Sequence, residues 1–171
     1  MSLRRLLLLA ALGAAGALAL RVTVGGGIVV ASGSMEPTLP VGTHLWLDRV
    51  TLRLRAPRRG DIIVFLCPVP PREDMIKRVI AVGGQTVEVR RRVVYVDGKE
   101  LEEPYVRHTR PGQRLVGDDV GPWTVPKDSL FVLGDDRDES RDSSVWKDPQ
   151  TGRPAPFLPL GNVRGLVRGF Y

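Results

Sequence analysis

Two residues of this chain have the makings of a nucleophile and its base. Ser34 lies in Ser32-Gly33-Ser34-Met35-Glu36-Pro37-Thr38-Leu39, and Lys77 in Met75-Ile76-Lys77-Arg78-Val79-Ile80-Ala81-Val82. A serine hydroxyl attacks poorly until a base takes its proton. The usual base is histidine, but His44 and His108, the two in the chain, sit in no recognisable triad motif. A lysine can serve only when uncharged. A free amine has a pKa of about 10.4, so at neutral pH only about one in a few thousand is neutral. Burial among apolar groups lowers that value. Alternation along a strand places Lys77 on one face with Met75, Val79 and Ala81 and turns Arg78 the other way. The competing reading of Lys77, a charge guarding a sheet edge, would win if Lys77 stood alone. With the Ser34 segment upstream, the base reading is preferred. The chemistry is then acyl transfer through an ester on Ser34.

The elements that must hold these two residues read as strands. Thr43 to Val50 alternates, with Leu45, Leu47 and Arg49 opposite His44, Trp46 and Asp48. Asp61 to Leu66 and Met75 to Val82 are β-branched runs, the second stopped by Gly83-Gly84. Thr86 to Arg90 and Val93 to Val96 read as a hairpin, and Asp97-Gly98 signals a tight turn into Lys99 to Leu101. Ser129 to Leu133 and Val163 to Phe170 complete the set. The expected fold is mainly β: an antiparallel core with a small inserted β lobe at about 85–128.

Arg4-Arg5 precede an unbroken apolar run from Leu6 to Leu20. It can be read as a secretory signal with Ala17-Leu18-Ala19 as its cutting site, or as an uncleaved anchor. Fifteen helical residues span roughly 22 Å, short of a hydrocarbon core of about 30 Å. Apolar character resumes after Arg21 in Val22, Val24 and Ile28 to Val30, with Gly25 to Gly27 expected to break the helix. The anchor is the expectation adopted: one transmembrane helix within 1–31, the Arg4-Arg5 end in the cytoplasm, and 32–171 as an extracytoplasmic domain of a single-pass protein of the cell membrane.

The net charge is +6 and the pI is near 10.1. The basic residues are scattered, Arg90-Arg91-Arg92 being the longest run, and no nucleic-acid motif surrounds it. Membrane lipid is the expected anionic partner; nucleic acid is not. Cys67 is the single cysteine, so no intrachain disulfide can form. Asp136-x-Asp138-x-Ser140 imitates the start of a calcium loop. It fails at the sixth position, Arg141, and the twelfth, Lys147. No metal and no cofactor is expected.

Four segments in order resemble the bacterial type I signal peptidases, membrane-anchored proteases that use a Ser-Lys dyad. They are Ser32 to Leu39, Arg59-Gly60-Asp61-Ile62-Ile63-Val64-Phe65, Lys77-Arg78-Val79-Ile80, and Gly134-Asp135-Asp136-Arg137-Asp138-Glu139-Ser140-Arg141-Asp142-Ser143. The resemblance implies Ser34 as nucleophile, Lys77 as base, and an oxyanion hole formed by the Ser32 hydroxyl and the Ser34 amide. It implies that the Ser140 hydroxyl orients the lysine, with Asp142, Arg78 and Asp135 supporting the dyad. It implies signal-peptide-bearing pre-proteins as substrates, with small residues at the first and third positions before the cut. Met35, Ile62 and Ile80 are the expected linings of shallow apolar subsites. The chain departs from the family pattern in four places: Asp136 stands for Asn, Ser144 for an Arg that would pair with Asp142, Met75 for a frequent Tyr, and Val82-Gly83-Gly84-Gln85 for the usual Pro-Gly-Asp after the lysine segment. The rivals are a self-cleaving repressor-type Ser-Lys protease, a thiol transpeptidase using Cys67 with His108, and a membrane-tethered β-domain without activity.

Overall fold

Strands with one apolar face fold against whatever covers that face, and here two sheets share the task. The structure, a computed structural model, describes residues 24–170 together with residues 4, 5, 7, 9, 10 and 13. The strands are β1 (Val24–Val29), β2 (His44–Asp48), β3 (Ile62–Leu66), β4 (Asp74–Val82), β5 (Thr86–Arg90), β6 (Val93–Val96), β7 (Lys99–Glu100), β8 (Val120–Thr124), β9 (Ser129–Leu133), β10 (Leu158–Pro159) and β11 (Val163–Phe170). A short helix, α1, covers Thr51–Leu54. Seven strands form one antiparallel sheet in the order β1-β2-β11-β3-β4-β9-β10. Four form a second in the order β7-β6-β5-β8.

The alternation read in β2 holds: Leu45 and Leu47 are buried, His44 and Trp46 exposed. β3 and β9 lie inside the large sheet and are apolar on both faces, as buried strands must be. Ile63, Phe65, Val79, Leu130 and Val132 pack on one side with Trp146, Leu158 and Leu166. Ile80, Phe131 and Leu133 pack on the other with Val87, Val89, Val94 and Val96 of the second sheet. A third cluster, Val30, Met35, Leu39 and Leu45, seats the chain around Ser34. The Asp97-Gly98 turn joins β6 to β7 with φ of 52° and 75°, the left-handed geometry that makes glycine the natural second residue.

Two features differ from expectation. Gly25 to Gly27 do not break a helix; they lie in β1, which pairs with β2 through a bulge between Gly25 and Ile28. Glycine runs carry no strand signature of their own, and pairing with β2 imposes the conformation. Leu158–Pro159, outside the expected set of strands, forms a two-residue strand on β9. The expected anchor over 6–20, with Ala17-Leu18-Ala19 and Arg21, lies largely outside the described residues. Among the described residues no helix is long and apolar enough to cross a membrane.

Candidate active site

Lys77 sits in mid-β4, paired with Ile63 of β3, an inner position of the large sheet. The strand therefore delivers its side chain into packed protein, and it is only 2% exposed. Its Nζ lies 2.7 Å from Ser34 Oγ and 3.0 Å from the Ile76 carbonyl oxygen, to which it donates. Burial pushes the Lys77 pKa down, against the opposing pull of Asp142, Cys67 and Asp135. A neutral amine here can keep one N–H on the Ile76 carbonyl and turn its lone pair to the Ser34 hydroxyl, which then donates.

Ser34 occupies a single 3-10 turn, Gly33–Met35, between β1 and β2. Met35 and Leu39, at 1% and 0% exposure, fix that turn by burial. The fourth segment grips it from the far side. The Asp136 amide donates to the Ser34 carbonyl at 3.2 Å, and the Thr38 hydroxyl donates to Asp135 Oδ2 at 2.5 Å. A Cβ at Gly134 would come within 2.5 Å of the Ser34 carbonyl oxygen and 2.3 Å of Ser140 Oγ, so only glycine allows the approach. Ser32 Oγ stands 3.4 Å from Ser34 Oγ, and Ser32 is exposed.

The supporting residues form one charged frame. Arg78 binds the Asp135 carboxylate through Nε to Oδ1 at 2.8 Å and Nη2 to Oδ2 at 2.6 Å. Burial opposes the Arg78 cation, but Asp135 outweighs it and holds the guanidinium protonated. The Tyr105 ring lies under that guanidinium, 3.8 Å from ring centre to Cζ. Asp142 accepts from the Gly134 amide at 2.9 Å, the Ser144 amide at 3.0 Å and the Ser144 hydroxyl at 2.7 Å. Ser144 thus supplies a hydrogen-bonding donor where the family pattern has a cation.

A cleft of about 330 Å³ opens beside Ser34 and Lys77, lined by Ile28 to Ser32, Ser34, Met35, Val64 and Glu73 to Lys77. Its walls are two strand segments, from β1 onward and from the start of β4. Of the three expected lining residues, Met35 lines it. Ile62 packs on the same cluster as Met35 without lining the cleft. Ile80 is a correction: strand alternation puts it on the face away from Lys77, buried against the second sheet. Ala81, expected on the Lys77 face, joins Ile80 there because of a bulge between Val79 and Ala81. The expected Ser140–Lys77 hydrogen bond is also absent. Ser140 Oγ is buried against Gly134 with no hydrogen-bond partner among the described residues, and the Ile76 carbonyl takes the place beside Nζ.

The Cys67–His108 pairing does not form. Cys67 is fully buried with Arg141 Nη2 3.5 Å from its sulfur, whereas His108 Nδ1 faces Asp138 at 3.2 Å. The calcium-like loop is likewise spoken for: Asp138 accepts from the Arg110 amide at 2.6 Å, and Asp136 faces Arg107 at 3.5 Å.

Known sequences place the chain in a family. The family model described as "Signal peptidase, peptidase S26" matches residues 3–171. The chain belongs to this family. The "Signal peptidase I" of Leptolyngbya laminosa is 40% identical over 89% of this chain and 72% of its own length. The "Probable signal peptidase I" of Mycobacterium leprae is 35% identical over 82% of this chain and 66% of its own. The chain therefore spans about two thirds to three quarters of these relatives. A crystal structure of a signal peptidase I from Enterococcus faecalis superposes with a TM-score of 0.50 at 28% identity, covering 67% of this chain and 98% of that one. Membership in the family argues against the repressor-type and inactive readings.

Residues 103–110 reach the site from the polar segment that the sequence left generic. Tyr105 stacks on Arg78, Arg107 Nη1 binds Glu36 Oε2 at 2.7 Å, and Glu103 binds Arg137 at 2.6 Å. No motif in 102–110 marks these residues.

Proposed function

We propose that this chain is a membrane-anchored serine endopeptidase that removes signal peptides from exported pre-proteins. The observation that carries the reading is the 2.7 Å approach of a 2%-exposed lysine amine to Ser34 Oγ at the edge of a strand-walled cleft.

The extended segment before the scissile bond enters the cleft and pairs its backbone with the strand walls. Neutral Lys77 takes the Ser34 proton as Oγ attacks the carbonyl carbon. The Ser34 amide and the Ser32 hydroxyl donate to the oxyanion. Lys77 then gives its proton to the departing amine, and a water activated by the same amine frees the acyl-enzyme. Ile76 and Asp142 hold the geometry, directly and through Gly134 respectively. Val29 and Met35 offer short apolar walls, which suits small substrate side chains. The catalytic unit is taken to begin with β1, which pairs with β2 and leads into the cleft wall, rather than at residue 32; the tip and anchor precede it, and the fold inserts a lobe at about 85–128. The single-pass placement, N-terminus inside and cleft outside, brings the cleft to substrates that emerge from the same bilayer.

The test is cleavage of a pre-protein with alanine at the first and third positions before the cut. The wild type cuts it once at that bond, and Ser34→Ala and Lys77→Ala do not. Full turnover by Ser34→Ala would sink the reading.

A further inference from the structure

We propose that Arg141 is a positioning residue, a clamp that ties the β3–β4 loop to the segment carrying Asp142 and so sets the rim of the cleft and adds a positive charge that acts on Lys77. The inference rests on the proposed dyad. Arg141 stands at a position the four-segment pattern leaves open, and no role was expected of it.

Its guanidinium crosses from the segment carrying Asp142 to the loop 67–73. Nη2 donates to the Pro70 carbonyl at 2.9 Å, approaches the Val69 carbonyl at 3.4 Å and lies 3.5 Å from Cys67 Sγ; Nη1 donates to Glu73 at 3.1 Å. The bond to Glu73 is half exposed and contributes little alone. The carbonyl contacts are different, because they fix the backbone of a loop rich in proline, which offers few amide donors of its own. That loop closes through the Cys67 amide on the Glu73 carbonyl at 2.9 Å. The next residues, Glu73 to Ile76, are one wall of the cleft, and Lys77 follows. A loop that sags moves the wall and the Ile76 carbonyl with it.

The second effect is electrostatic. The groups that act on Lys77 are the carboxylates of Asp142 and Asp135, the thiol of Cys67, and Arg141. The first three favour its protonated form, and Arg141 opposes them. Removing this charge takes away an effect that opposes Asp142, Cys67 and Asp135 and makes the amine hold its proton to higher pH.

Two variants of the full chain separate these effects, read by amide hydrogen exchange over 67–76 and by the pH dependence of kcat/KM on a pre-protein. Arg141→Gln exchanges faster at Cys67 to Ile76, raises KM about tenfold, the loss of a hydrogen bond or two, and moves the acid limb of the profile to higher pH. Arg141→Lys, which keeps a charge but not the fork, exchanges fast while holding the acid limb near the wild-type position. Wild-type exchange over the loop in Arg141→Gln, or an unmoved acid limb, overturns the proposal. Should Arg141→Gln fail to fold, Arg141→Lys decides alone, wild-type loop exchange counting against the clamp. Exchange needs no turnover, so an inactive wild type would defeat the protease reading and still leave the clamp measured.

Discussion

Arg78 and Asp135 meet through two parallel hydrogen bonds, at 2.8 and 2.6 Å, with the carboxylate at 0% exposure. The pair joins the strand that carries Lys77 to the segment that grips Ser34, so Ser34 and Lys77 keep their spacing through it.

Breaking it from one side leaves a buried charge without its counterion. Asp135→Asn is expected to cost about 3–5 kcal/mol, read by urea denaturation. Arg78→Met with Asp135→Leu together should recover most of that stability while activity stays low, because the Thr38 tie to Asp135 is lost as well.

Gly134→Ala places a methyl group where Ser140 Oγ and the Ser34 carbonyl already are. Relief requires Ser34 to move off its line with Lys77. The variant should fold with a loss of about 1–3 kcal/mol and turn over at least tenfold more slowly. Unchanged kcat would show that the approach of the two segments is not needed.

Much of this arrangement was legible in the sequence. Alternation in His44–Asp48 and Asp74–Val82 announced the strands, and Lys77 amid aliphatic neighbours pointed to burial only when taken with the Ser34 segment upstream. The bulge at Val79/Ala81 was not legible, since it depends on how β9 meets β4. The strand through Gly25 to Gly27 was hidden because glycine has no side chain to show a period. Tyr105 and Arg107 gave no signal either: they act across long sequence separations, from a segment whose composition reads only as loop.

Ser32→Ala removes one of the two donors assigned to the oxyanion. Its expected effect is a fall in kcat of about 10²–10³ with KM little changed, since the donor acts on charge that exists only in the transition state. Steady-state kinetics on a pre-protein measure both. A rise in KM at constant kcat would instead make Ser32 an ordinary binding contact.

Lys77 also leaves a mark on stability. Its native pKa lies below the ordinary value of 10.5, so between the native value and 10.5 the unfolded chain binds the extra proton. Stability must therefore rise with pH across that window and be lowest, for this group, below it. Lys77→Met removes the penalty. It should abolish cleavage and raise stability by about 1–2 kcal/mol at neutral pH, the gain shrinking as pH climbs toward 10.5. Denaturation of both proteins at several pH values checks the trend, and a gain that grew with pH would be the wrong sign.

The central claim is that the Lys77 amine is uncharged when it meets Ser34. The most direct measurement is the titration of Lys77 itself, followed by NMR of a lysine-labelled protein with Lys77→Met to assign the signal, beside the acid limb of kcat/KM. The account predicts one midpoint for both, well below the ordinary lysine value. A Lys77 resonance that titrates at or above that value, while the enzyme remains fully active at neutral pH, would contradict it.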